Sequence, residues 1–148
     1  LTRQDTPVIT SSKNTENVAK GAYIIRESTK QEALNIIATG SEVSIACIAA
    51  ETIEKELDLG VHVVSMPCME RFERQTVDYQ NSVISPDVPS LSIEAGSTYG
   101  WNKWAEVTIG IDSFGTSAPG DTALSKFGIT SEKIVEAAGG LLDNGGNK

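Results

Sequence analysis

Histidine and cysteine are scarce: His62, Cys47 and Cys68 are all that 148 residues contain. One histidine leaves no histidine-based metal site, and two cysteines fit neither a dense disulfide framework nor zinc-ligand spacing. We expect two free thiols, Cys47 in a buried helix and Cys68 in a loop after Pro67, and hence a reducing compartment, the cytoplasm by default. No apolar run approaches the roughly 20 residues that cross a bilayer, so no membrane partner is expected. Positive charge is also short, with 12 basic against 20 acidic residues and a net charge of −8. A surface of that sign repels phosphate backbones, so nucleic acid is not expected as a partner. Neither an initiator methionine nor an apolar targeting segment opens the chain, and we expect a fragment. Internal repeats and low-complexity segments are lacking too.

What is present is ordinary soluble-domain material, 39% hydrophobic and 22% charged, long enough for one domain with a core. Residues 1–20 are polar and rich in Thr, Ser and Asn, the composition of a connector. The folded unit is expected at 21–142, followed by a flexible tail at 143–148. Strand signals fall at 22–25, 34–38, 61–66, 91–95 and 107–111. The run Leu34-Asn35-Ile36-Ile37-Ala38 is nearly continuous in apolar residues, as in a strand covered on both faces. Residues 42–57 repeat apolar side chains (Val43, Ile45, Ala46, Ile48, Ala49, Ile53, Leu57) at helical spacing, with acids and bases crowding the second half. Thr39-Gly40-Ser41-Glu42 matches a capping box, and Gly60 is placed to stop the helix. Shorter helices are expected at 77–83, 123–126 and 132–142, the last capped by Thr130. Strands alternating with helices indicate an α/β three-layer sandwich with a mostly parallel five-stranded sheet. The first strand, with no helix before the second, can be an antiparallel edge.

Catalytic constellations are hard to find. His62 sits inside a strand between two valines, without a second histidine. The acids Glu51, Glu54, Glu56 and Asp58 read as a solvated helix face, and Trp101 and Trp104 as packing or interface residues. The turn Thr39-Gly40-Ser41 is the most suggestive feature, because a glycine turn at a helix N-terminus is a natural anion site. It matches neither G-x-G-x-x-G nor G-x-x-x-x-G-K-[ST], and Glu42 would compete with an external anion for the same amides. Self-capping leads there, with ligand binding as the alternative. Pattern alone favours a binding or assembly module over an enzyme.

Taken in order, several stretches resemble the transketolase family. They are Leu1-Thr2-Arg3-Gln4, Ile37-Ala38-Thr39-Gly40-Ser41-Glu42-Val43-Ser44, Val63-Val64-Ser65-Met66-Pro67 with Phe72 and Gln75 downstream, Ile93-Glu94-Ala95-Gly96-Ser97-Thr98-Tyr99-Gly100-Trp101, Gly110-Ile111-Asp112-Ser113-Phe114-Gly115-Thr116-Ser117-Ala118-Pro119-Gly120, and Lys126-Phe127-Gly128-Ile129-Thr130. The resemblance covers about residues 1–142 and points to the family's C-terminal domain, with residues 1–20 as the linker from its pyrimidine-binding domain. It implies a cytoplasmic, homodimeric parent in the pentose phosphate pathway, a transferase that moves a two-carbon ketol unit between sugar phosphates. Thiamine diphosphate and magnesium or calcium belong to the parent, between the first domain of one subunit and the second of its mate. This fragment is expected to hold no cofactor, metal or catalytic residue and to be inactive alone. The family's G-D-G motif is absent, since Gly120-Asp121-Thr122 lacks the second glycine. One functional residue carries over: Arg3 falls where the family grips the substrate's terminal phosphate, a role suited to a guanidinium fork. Ser113 stands where many relatives have arginine, and Met69 where tryptophan often follows Ser-Met-Pro. A dihydroxyacetone synthase C-terminal domain, a small-ligand regulatory module and a partner-docking domain are the alternatives.

Overall fold

The computed structural model describes residues 6–9, 15–114 and 119–145. Five strands form one sheet: β1 (Tyr23–Arg26), β2 (Glu32–Ala38), β3 (Gly60–Ser65), β4 (Ser90–Ile93) and β5 (Val107–Ile109), in the order β1-β3-β2-β4-β5. The last four strands run parallel. β1 is the antiparallel edge and pairs with β3, with Tyr23 opposite Ser65, rather than with its sequence neighbour β2. The α/β sandwich expected from the strand and helix pattern is therefore the observed architecture.

Register decides what each face buries, because in-register neighbours on parallel strands point to the same side. Leu34 lies beside Val61, and Ile36 lies between Val63 and Leu91. With Ala38 and Ile93 they make a fully apolar face. Two long helices cover it, α2 (Glu42–Leu57) and α6 (Ser131–Gly145). α2 presents Val43, Ala46, Ala49, Ala50 and Ile53, all buried, and its alanines let the helix lie close to the strands. Each fully buried Ile or Leu here contributes roughly 1.5–3 kcal/mol. The other face carries Ile37 and Val64 beneath α3 (Met69–Glu73), α4 (Val77–Val83) and a 3₁₀ turn at Trp101–Lys103, with Phe72 as the central anchor. Phe72 packs on Trp104 at 4.8 Å between ring centres and edge-on to Tyr79 at 6.2 Å.

Local structure departs from expectation at several ends. The capping box does not form. α2 starts after Ser41, whose backbone is helical and whose side chain caps no amide. The Glu42 amide instead donates to the Thr39 carbonyl at 3.3 Å, and Ser41 Oγ donates to the Glu42 carboxylate at 2.7 Å. The helix ends at Asp58, in the left-handed conformation, not at Gly60. Lys30 closes that end by donating to the Glu54 carbonyl (2.9 Å) and to Asp58 (2.6 Å), a cation at the negative pole of the helix. Gly60 opens β3, where a Cβ would collide with the Gln31 carbonyl. Short helices escape periodicity: α1 (Thr15–Val18) lies within the expected connector, and α3 is one turn and a half. α5 (Gly120–Lys126) starts three residues before position 123. α6 continues to Gly145, past the point where a tail was expected, and its Lys133 amide donates to Thr130 Oγ1 at 3.2 Å. Residues 146–148 lie outside the described residues.

Candidate functional site

Topology singles out one end of the sheet. From the carboxyl end of β2 the chain passes through α2 to β3 on one side. From the carboxyl end of the neighbouring β4 it passes to β5 on the other. Connections that part in opposite directions open a crevice at the strand ends, the usual place for ligands in such sheets. Here the crevice is about 310 Å³, lined among others by Thr39, Met66, Glu94, Tyr99 and Trp101. Glu94 is committed within the fold, since its carboxylate accepts from Trp101 Nε1 at 2.6 Å.

Thr39, Gly40 and Ser41 divide between two hollows. Thr39 lines the crevice; Gly40 and Ser41 line a second groove of about 380 Å³ with Pro7, Val8, Tyr23 and Ser65. Gly40 takes φ +58°, a conformation few other residues adopt. Glu42, only 5% exposed, lies against this turn, and its carboxylate accepts from Ser41 Oγ in the first turn of α2, where negative charge is favoured. An external anion would have to displace it. Arg3 lies outside the described residues.

The loops beyond β4 and β5 are tied into one rigid unit. Glu94 N donates to the Ile109 carbonyl at 3.1 Å and Ile111 N to the Gly96 carbonyl at 2.6 Å. Asp112 accepts from Ser97 Oγ (3.0 Å), Thr98 N (2.9 Å) and Thr98 Oγ1 (2.7 Å). The Thr98 hydroxyl and amide, then Ser97, hold its carboxyl below the usual carboxylate range. Gly110 permits the close approach, since a Cβ there would come within 2.8 Å of the Gly96 carbonyl and of Thr98 Cγ2. Sequence patterning sets strands at 91–95 and 107–111, gives Gly96 and Gly110 no special role, and misses this brace.

Of the other candidate side chains, Cys68 lines the crevice, while His62, Cys47 and Glu54 lie away from it. His62 Nδ1 is 3.5 Å from Glu32 Oε1, too far for a good hydrogen bond, and His62 stands beside Asn35 across the strands. Cys47 is half-buried, and burial pushes its thiol up, the reverse of an activated nucleophile. Cys68 heads α3 with Sγ 3.4 Å from Glu70 Oε2. Glu54 is not merely a solvated acid. Arg26 donates to its two oxygens at 2.6 and 3.2 Å and, with further help from Ser28 and Val61 N, holds its carboxyl at about 2 against burial. That pair clamps the β1 edge to α2. Among the described residues, no three His, Cys, Asp or Glu side chains gather as metal ligands, and no helix is long and apolar enough to cross a membrane.

Comparison with known proteins places this architecture. A family model described as the transketolase-like TK C-terminal domain matches residues 21–130. Transketolase of Bacillus subtilis is 42% identical over 151 residues, covering 97% of this chain and 22% of its own length. Transketolase from Leishmania mexicana superposes with a TM-score of 0.82 at 40% identity, over 87% of this chain and 19% of that one. A Pichia stipitis transketolase solved in complex with sedoheptulose 7-phosphate gives a TM-score of 0.86 at 32% identity, over 96% and 20%. The chain thus spans about a fifth of the length of the curated relatives it matches. By sequence and by three-dimensional arrangement alike, it belongs to the transketolase family, as that family's C-terminal domain.

Proposed function

We propose that this chain is the structural and assembly domain of a transketolase, whose parent subunit transfers a two-carbon ketol unit between sugar phosphates in the pentose phosphate pathway. The match over residues 21–130 carries this reading. The relatives reported are transketolases, which favours that activity over dihydroxyacetone synthase. The Pichia stipitis relative was solved with sedoheptulose 7-phosphate, a substrate of the proposed class.

The parent's thiamine diphosphate and divalent metal do not fit the residues seen here. The turn at the α2 N-terminus has the buried Glu42 carboxylate against it, which would repel a diphosphate. Among the described residues no cluster of three or more carboxylates, histidines or cysteines offers metal ligation, and Gly120-Asp121-Thr122 lacks the second glycine of the family motif. Cofactor chemistry belongs to the remainder of the parent, as a homodimer in the cytoplasm, although a potato relative is chloroplastic. Arg3 contributes a phosphate contact once the parent's neighbouring residues surround it.

The decisive test is ketol transfer from xylulose 5-phosphate to ribose 5-phosphate with thiamine diphosphate and magnesium supplied. The 148-residue chain should show no turnover and the full-length subunit robust turnover. Turnover by the short chain would sink the assembly reading.

A further inference from the structure

Large apolar side chains that face water are unevenly placed. Among the described residues the three most exposed are Phe114 (100%), Tyr99 (93%) and Val8 (91%). All three lie at the carboxyl edge of the sheet: Tyr99 in the loop after β4, Phe114 in the loop after β5, and Val8 in the groove beside Gly40, Ser41 and Ser65. The next most exposed, Val77 and Ile48, sit apart on α4 and α2. Val8 lies across the sheet beside β1, but Tyr99 and Phe114 follow the neighbouring strands β4 and β5, and two exposed aromatic rings on adjacent loops mark an interaction surface.

Tyr99 is also held in place. Its amide donates to Ser97 Oγ at 3.2 Å, and the three hydrogen bonds to Asp112 fix residues 97 and 98 against the next loop. A loop tied this way does not fold its aromatic ring back onto the domain. The ring therefore stands in solvent on a fixed backbone, so its burial costs side-chain rotamer freedom but no ordering of the loop, the property of an interface anchor. It stands between two hollows, the crevice with Thr39 and Glu94 on one side and a hollow of about 450 Å³ with Asn102 and Thr108 on the other.

We propose that this edge, anchored on Tyr99 and Phe114, is where the rest of the transketolase subunit is seated on the domain. The occupant follows from two observations. Relatives carry about four-fifths of their length outside the portion matched here, since 22% is covered. Residues 6–9, on the amino-terminal side of the domain, lie along this same edge, where Pro7, Val8 and Ile9 line the groove. The proposal rests on reading the chain as a domain of a larger transketolase subunit.

Hydroxyl-radical footprinting of the full-length subunit and of the 148-residue chain tests it, with buried Phe72 as the internal reference. Tyr99 and Phe114 should be labelled roughly tenfold less in the full-length subunit, as expected for rings in the dry core of an interface. Equal labelling in the two proteins overturns the proposal. Protection that appears in the 148-residue chain as its concentration rises assigns the edge to a second copy and also overturns it. A ketol-transfer assay on the same full-length sample separates the two readings. An active enzyme with unprotected Tyr99 rejects only the surface, whereas an inactive one rejects the transketolase reading itself. The double variant Tyr99→Ser/Phe114→Ser supplies a second readout. It should leave the thermal midpoint of the 148-residue chain within about 2 °C, as surface changes do, while making the full-length subunit more susceptible to cleavage between its domains. Unchanged cleavage counts against the proposal.

Discussion

Alternate residues of the same strands build the two faces of the sheet, yet the faces are covered in different ways. Leu34, Ile36, Val61, Val63, Leu91 and Ile93 make one face entirely apolar, and two long helices close over it. The opposite face mixes Ile37 and Val64 with a row of polar residues, His62, Asn35 and Ser90, in register across three strands. Asn35 is fully buried, and neither its side-chain amide nor its carbonyl has a hydrogen-bond partner among the described residues; nor does Ser92 Oγ or Trp104 Nε1. That face depends on a few aromatic anchors under short helices rather than on continuous apolar contact. One face is a core by composition, the other by arrangement.

Substitutions that break this contrast should follow in order of size. Phe72→Ala removes the anchor of the mixed face and should cost about 4 kcal/mol, with Leu34→Ala on the apolar face at about 3 kcal/mol. Asn35→Ala, one residue along the same strand, should cost under about 1 kcal/mol because it breaks no protein hydrogen bond and removes a polar group from the interior. Urea midpoints of the three variants check this, and an Asn35→Ala cost equal to that of Leu34→Ala would erase the difference between the faces. An effect between those of Leu34→Ala and Asn35→Ala is expected at the β1 edge. Glu54 titrates at about 2 against an ordinary value of 4.5. A carboxyl depressed by folding stabilises fully above its unfolded value, and that contribution is lost as the pH falls from 4.5 toward 2. Glu54→Gln should flatten that acid limb and cost roughly 1 kcal/mol at neutral pH, since the pair is partly exposed. Stability measured against pH decides it, and an unaltered acid limb refutes the clamp. Asp112→Asn should have the most local effect. Amide exchange at Thr98 should quicken while the urea midpoint holds, because the brace ties two loops outside either core. Unchanged exchange there would show that the loop does not need the carboxylate.

The apolar face was legible because its signal is periodic. Continuous β-branched runs and the spacing of Val43, Ala46, Ala49 and Ile53 identify β2, β3 and α2 without any tertiary information. The mixed face was less so. α3 and the 3₁₀ turn are too short to show a period, and what holds them is Phe72 packed against Tyr79 of the next helix and Trp104 far along the chain. At the candidate site, Thr39, Gly40 and Ser41 were recognisable as a special turn. Their hydrogen bonding was not, because the capping-box pattern does not say whether the Glu42 amide turns to the Thr39 hydroxyl or to its carbonyl. Tyr99 and Asp112 stood in quoted family stretches without a role, since their partnership spans two loops.

From the amino-acid order alone came the α/β class, the long helix, the antiparallel edge and the transketolase resemblance, all properties of local periodicity or of consecutive residues. Tertiary structure alone decided that β1 pairs with β3, that Glu42 settles against its own helix end, and that Asp112 braces the Tyr99 loop. Each of these joins groups through a meeting in space, and nothing in the spacing of residues along a chain encodes which carboxylate will reach which amide once the sheet has formed.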